Sequence, residues 1–156
     1  MGGLLALHAA LERPARVSAL VLIAPAAGFA ERRWAALSGE QRAELAADGA
    51  ASLGSGYVDA GGDEVTLAFF EAAARFALPE APGSLDVRCP VRILHGARDD
   101  VVPVGVGRRL AGQLAGDDVM LTEVKDGDHR LSGPRDVGLL TSTVGQLFRQ
   151  VTGGWG

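Results

Sequence analysis

Residues Val17–Ala24 (VSALVLIA) form a short, nearly continuous apolar run containing several β-branched side chains. Such a run predicts a strand covered on both faces, and strands of that kind occur in parallel sheets flanked by crossover helices. The flanking segments agree. Leu4, Leu5, Leu7, His8 and Leu11 repeat at helical spacing over Gly2–Glu12, Pro14 ends that helix, and the Gly2-Gly3 pair permits close backbone packing. Alternation resumes at Cys89–Leu94 (CPVRIL), a strand terminated by His95-Gly96. A helix follows over Val104–Leu114, a strand over Val119–Val124, and a closing helix over Gly138–Val151 after Pro134. The order of strands and helices predicts an α/β fold with a doubly wound parallel sheet, of which three strands make only a fragment.

Between the first two strands the pattern changes. Glu31–Ala47 and Glu64–Leu78 are Ala-rich amphipathic stretches separated by the Gly-, Ser- and Asp-rich segment Gly49–Asp63. They predict a small helical cap inserted into one domain. The expected division is therefore 1–27 for the first helix and core strand, 28–84 for the cap, and 85–156 for the C-terminal core.

Composition excludes several classes. With 47% hydrophobic residues in 156, the chain has enough apolar material for a sizeable core. A net charge of −4 and no run of Lys or Arg argue against a nucleic-acid or anionic-membrane surface. The longest apolar stretch, Ala19–Ala27, is too short for a bilayer and is interrupted by Pro25. A single cysteine, Cys89, rules out an intrachain disulfide and reads as a buried small hydrophobe. Three histidines without ligand spacing give no zinc site, and no cofactor motif is present. A soluble, cytoplasmic protein acting on a small or neutral partner is expected.

In open parallel sheets the working residues sit on loops beyond the carboxyl ends of strands. After CPVRIL comes His95-Gly96-Ala97-Arg98-Asp99-Asp100-Val101-Val102-Pro103, and after VMLTEV comes Lys125-Asp126-Gly127-Asp128-His129-Arg130. One helix and one strand separate Asp99 from His129, which predicts that their loops lie side by side at one sheet edge. A carboxylate beside an imidazole is what a hydrolase needs to hold its base in the right tautomer. The bland readings are a surface loop histidine for His129, a turn or helix-cap carboxylate for Asp99 and its neighbour Asp100, and packing or hydrogen bonding for His95. His8 reads as structural. Trp34, Phe69, Phe70 and Phe76 fit either core packing or an acyl pocket.

The segment CPVRILHGARDDVVP resembles the acid loop of α/β-hydrolases, commonly H-G-x-x-D-x-x-V-P, and KDGDHRLS resembles the histidine loop of acyl-protein thioesterase-like and carboxylesterase-like members. The opening MGGLLALHAALERPARVSALVLIAPA resembles the stretch that follows G-x-S-M-G-G. The resemblance implies the C-terminal part of an α/β-hydrolase fold, with Asp99 as acid, His129 as base and the Met1 backbone nitrogen at the oxyanion hole. It implies hydrolysis of a carboxylic ester or acyl thioester through an acyl-enzyme, on a small-molecule or acyl-protein substrate. No serine present rebuilds G-x-S-x-G; Ser55, in Gly54-Ser55-Gly56, reads as a loop turn. The chain is expected to begin one residue after the nucleophile, and to be nearly inactive and poorly soluble by itself. An Asp nucleophile as in dehalogenase-like relatives, cleavage of a carbon–carbon bond, and a non-catalytic binding module remain open alternatives.

Overall fold

The computed structural model describes residues 2–53 and 63–153. In chain order the elements are α1 (Gly2–Glu12), β1 (Leu20–Ile23), α2 (Phe29–Ala36), α3 (Gly39–Asp48), β2 (Ala50–Leu53), β3 (Asp63–Thr66), α4 (Leu67–Ala74), β4 (Val91–Gly96), α5 (Val104–Gln113), β5 (Val119–Val124) and α6 (Pro134–Thr152). They form two compact units, Met1–Ala27 with Pro79–Gly156, and Gly28–Leu78.

The first unit is built on a parallel sheet of order β1-β4-β5, with Leu22 opposite Ile93 and Ile93 opposite Leu121. β4 is the middle strand, and from Ile93 to Gly96 every residue is buried. β1 departs from the expected two-sided burial. Leu20 and Leu22 are buried, Val21 is half-buried and Ile23 is exposed, because β1 pairs only with β4 in the described sheet. The strand is also shorter than the apolar run: a 3₁₀ turn over Pro14–Arg16 takes up the chain ahead of it. β4 begins at Val91 rather than Cys89, since Pro90 has no N–H for the ladder, and it runs through His95 and Gly96, which pair with Glu123 and Val124. Cys89 is half-buried rather than buried.

Leu7, Leu22, Val91, Ile93, Val102 and Leu110 form the fully buried centre of this unit. Each contributes roughly 1.5–3 kcal/mol by leaving water. Of the Gly2-Gly3 pair only Gly3 makes a close approach: a Cβ there would stand 3.1 Å from Cβ of Pro25. α6 starts at Pro134 itself, four residues earlier than expected, because proline suits a first helical turn whose N–H groups have no helical partner.

The second unit differs more from its sequence reading. The amphipathic stretch Glu31–Ala47 is two helices, divided at Leu37-Ser38, where Ser38 and Gln41 form a reciprocal capping box. Glu64–Thr66, expected as the start of a helix, joins Asp63 in a strand that pairs antiparallel with Ala50–Leu53, and Thr66 then caps α4. Leu37, Leu45, Ala51, Val65 and Phe70 make its core. Trp34, Phe69 and Phe70 pack edge to face in the same unit, with centroids 5.0 Å (Trp34–Phe70) and 5.2 Å (Phe69–Phe70) apart. The tripeptide around Ser55 lies outside the described residues.

Candidate active site

β4 and β5 end side by side, so the loops that leave them start as neighbours. Ala97 N–H donates to the Val124 carbonyl at 2.9 Å, and Arg98 N–H donates to the Gly127 carbonyl at 3.0 Å. Gly96 is where the two backbones touch. A Cβ built there would collide with the carbonyl oxygens of both Gly127 and Asp128. A residue without a side chain is therefore required for the acid loop and the histidine loop to share one rim.

Asp99 and His129 are brought together. Nδ1–H of His129 donates to Oδ2 of Asp99 at 2.8 Å; the acid side chain is fully buried and the imidazole 23% exposed. The other carboxylate oxygen, Oδ1, accepts from the amides of Val101 at 2.9 Å and Val102 at 2.7 Å. One oxygen of Asp99 thus fastens the turn and the other meets the imidazole. Burial alone would raise the Asp99 carboxyl; the amides of Val102 and Val101, with His129, outweigh it and hold the group below its ordinary value. Asp99 is accordingly a carboxylate at neutral pH and accepts only, which fixes the proton of the shared bond on Nδ1 of His129. Asp100 is exposed, and the residue that caps α5 is Pro103, without a side-chain bond.

The histidine loop has its own fasteners. Oδ1 of Asp128 accepts from the amides of Arg130 at 3.0 Å and Leu131 at 2.9 Å. Leu131 is buried and left-handed at φ 45°, a costly conformation for a branched side chain. Its Cδ2 would stand 2.5 Å from a Cβ on Gly127. The residue after next from His129 is thereby anchored in the interior, and the imidazole projects from a loop held at both ends. Sequence reading did not single out Gly96, Asp128 or Leu131; the signal available was the glycine two residues before His129 and the one after His95.

Met1, expected at the oxyanion hole, lies outside the described residues. Among the described residues no group of three or more His, Cys, Asp or Glu side chains is arranged to hold a metal ion, and no helix is long and apolar enough to cross a membrane.

Comparison with known proteins bears on the fold. No protein-family model matches the chain. It is 35% identical over 152 residues, 97% of its length, to mouse palmitoyl-protein thioesterase ABHD10, mitochondrial. It superimposes on the solved structure of alpha/beta hydrolase domain-containing protein 10 from mouse with TM-score 0.83 and 34% identity, over 96% of this chain and 59% of that one. A putative hydrolase from Agrobacterium vitis S4 gives TM-score 0.83 and 36% identity, over 94% and 58% of the respective chains. The chain has the fold of the C-terminal part of an α/β-hydrolase. The chain spans about half the length of the curated relatives it matches, 50% for the mouse protein. The expectation of a cytoplasmic location is corrected by the same comparison, because the mouse and human relatives are named as mitochondrial.

Proposed function

We propose that this chain supplies the acid, Asp99, and the base, His129, of a serine hydrolase that cleaves a carboxylic ester or acyl thioester through an acyl-enzyme. The nucleophilic serine comes from the part of the fold that the relatives have and this chain does not span. The observation that carries the reading is the 2.8 Å bond between His129 Nδ1 and a fully buried Asp99 carboxylate. With Nδ1–H donated to Asp99, the basic lone pair of His129 is on Nε2. As the serine Oγ attacks the carbonyl carbon, Nε2 takes the hydroxyl proton, and Asp99 offsets the positive charge that develops on the ring. Collapse of the tetrahedral intermediate expels the thiolate or alkoxide, which leaves with that proton. Water then repeats the sequence on the acyl-enzyme and returns the serine.

The Met1 main-chain nitrogen is proposed as one oxyanion donor, and the unit Gly28–Leu78 as the cap insertion. The name of the mouse relative, a palmitoyl-protein thioesterase, supports acyl thioesters over simple esters as the substrate class and an acylated protein as the substrate.

The test is the protein expressed with whatever is encoded in frame ahead of Met1. A G-x-S sequence there, serine labelling by a fluorophosphonate, and loss of acyl-thioester turnover in His129→Ala are the expected results. Ester turnover by the 156-residue chain alone, abolished by His129→Ala, would overturn the assignment of the nucleophile to residues outside it.

A further inference from the structure

His95 is a buried imidazole that the proposed reaction does not use. It has 0% exposure, and its Nε2–H donates to the Val102 carbonyl at 2.8 Å. The same nitrogen lies 3.4 Å from Oδ2 of Asp99, the oxygen that accepts from His129. Among the described residues, Nδ1 of His95 is buried with no hydrogen-bond partner. An apolar side chain would fill this site without burying an unsatisfied nitrogen, so packing alone does not account for a histidine here.

We propose that His95 is a positioning residue for Asp99. Val102 is gripped twice, its carbonyl by His95 and its N–H by Oδ1 of Asp99 at 2.7 Å. Pro103 follows it and restrains Val102 to extended backbone. The end of β4 is thereby tied through Val102 to one oxygen of the acid, while Nε2 of His95 stands 3.4 Å from the other. The carboxylate cannot rotate away from His129 without losing an amide bond. Gly107 of α5 makes the arrangement possible: a Cβ there would stand 2.6 Å from Nδ1 of His95 and force the ring to move.

This inference rests on reading Asp99 and His129 as acid and base, but its experiment needs neither nucleophile nor substrate. In the 156-residue chain, ¹⁵N imidazole spectra report which nitrogen of His129 bears the proton. The wild type is expected to hold the Nδ1–H tautomer, whereas imidazoles in water favour Nε2–H. His95→Phe keeps a ring and removes the donor; the Nδ1–H to Nε2–H ratio of His129 should fall several-fold. His95→Gln, whose amide N–H reaches the same carbonyl, should restore it. Gly107→Ala deletes no polar group but displaces the His95 ring; the ratio should fall there too, which decides the matter if His95→Phe does not fold. An unchanged ratio in the folded variants would overturn the proposal while leaving the hydrolase reading intact. Failure of fluorophosphonate labelling in the extended protein, with the ratio still responding to His95, would overturn the hydrolase reading and leave this one standing.

Discussion

Gly96 on the acid side and Gly127 on the histidine side meet backbone to backbone, with no room for a side chain between them. The bond between Asp99 and His129 is therefore set by main-chain contact, not by the reach of flexible side chains. Arg98 N–H to the Gly127 carbonyl, at 3.0 Å, draws the same two loops together two residues further along the acid loop.

Gly96→Ala should consequently open the rim. The added methyl has nowhere to go but against two carbonyl oxygens, so the histidine loop must retreat, at a cost of about 1–3 kcal/mol. The thermal midpoint of the variant should fall, and its His129 should lose the Nδ1–H signature in ¹⁵N spectra. A variant with wild-type midpoint and tautomer would show that the loops meet by some other route.

Asp99→Ala removes an acceptor from three donors at once: the amides of Val101 and Val102, and Nδ1 of His129. The Val102 amide, left buried without a partner, costs about 1–3 kcal/mol, and the half-buried Val101 amide adds less. Denaturant unfolding should therefore register a loss well beyond that of an ordinary surface substitution. Asp99→Asn keeps the size and one acceptor, so its stability loss should be smaller. In a protein that also carries the nucleophile, its turnover should fall on the order of 10⁴-fold, the loss expected when the imidazole is held in the wrong tautomer.

The Asp99 carboxyl is held below its ordinary value in the folded chain, so folding favours its ionised form. A group lowered on folding stabilises the fold above its unfolded value, near 3.9, and that contribution is lost as pH falls toward the folded value. Asp118 and Glu123, lowered by bonds to Arg92 and Arg108, respond in the same direction, so the wild-type curve by itself does not isolate Asp99. The difference between wild type and Asp99→Asn does. It should shrink as pH falls below about 4. A difference that does not shrink there would contradict an ionised Asp99 in the folded chain.

Much of the candidate site is legible in the sequence. Asp99 and His129 each follow an apolar strand by a few residues, and parallel topology brings such loops to one edge. What the sequence does not carry is distance between backbones: nothing in His95-Gly96 or Gly127-Asp128 says that these glycines face each other. The strand at Glu64–Thr66 is hidden for a related reason. Glu64 and the alanines after it suit a helix locally, but pairing with Ala50–Leu53 overrides that preference. The split of Glu31–Ala47 was available in principle, since Ser38 followed three residues later by Gln41 is a capping box, hidden within an otherwise continuous helical pattern.

α6 carries the last prediction. Val137, Val144, Phe148 and Val151 follow one another at helical spacings of seven, four and three residues, and each is exposed, Phe148 at 55%. Leu147 is the buried residue of the same helix. An exposed apolar stripe over four turns is more than isolated surface hydrophobics account for, and surfaces of this kind associate unless something covers them. The 156-residue chain should therefore self-associate in light scattering at micromolar concentration. Val144→Lys with Phe148→Glu should shift it toward monomer, with little change in far-UV circular dichroism, because neither side chain is buried. If association persists at the wild-type level in the double variant, the stripe is not its cause. The next surface to test would then be Leu5, on α1, together with Ile23, on β1.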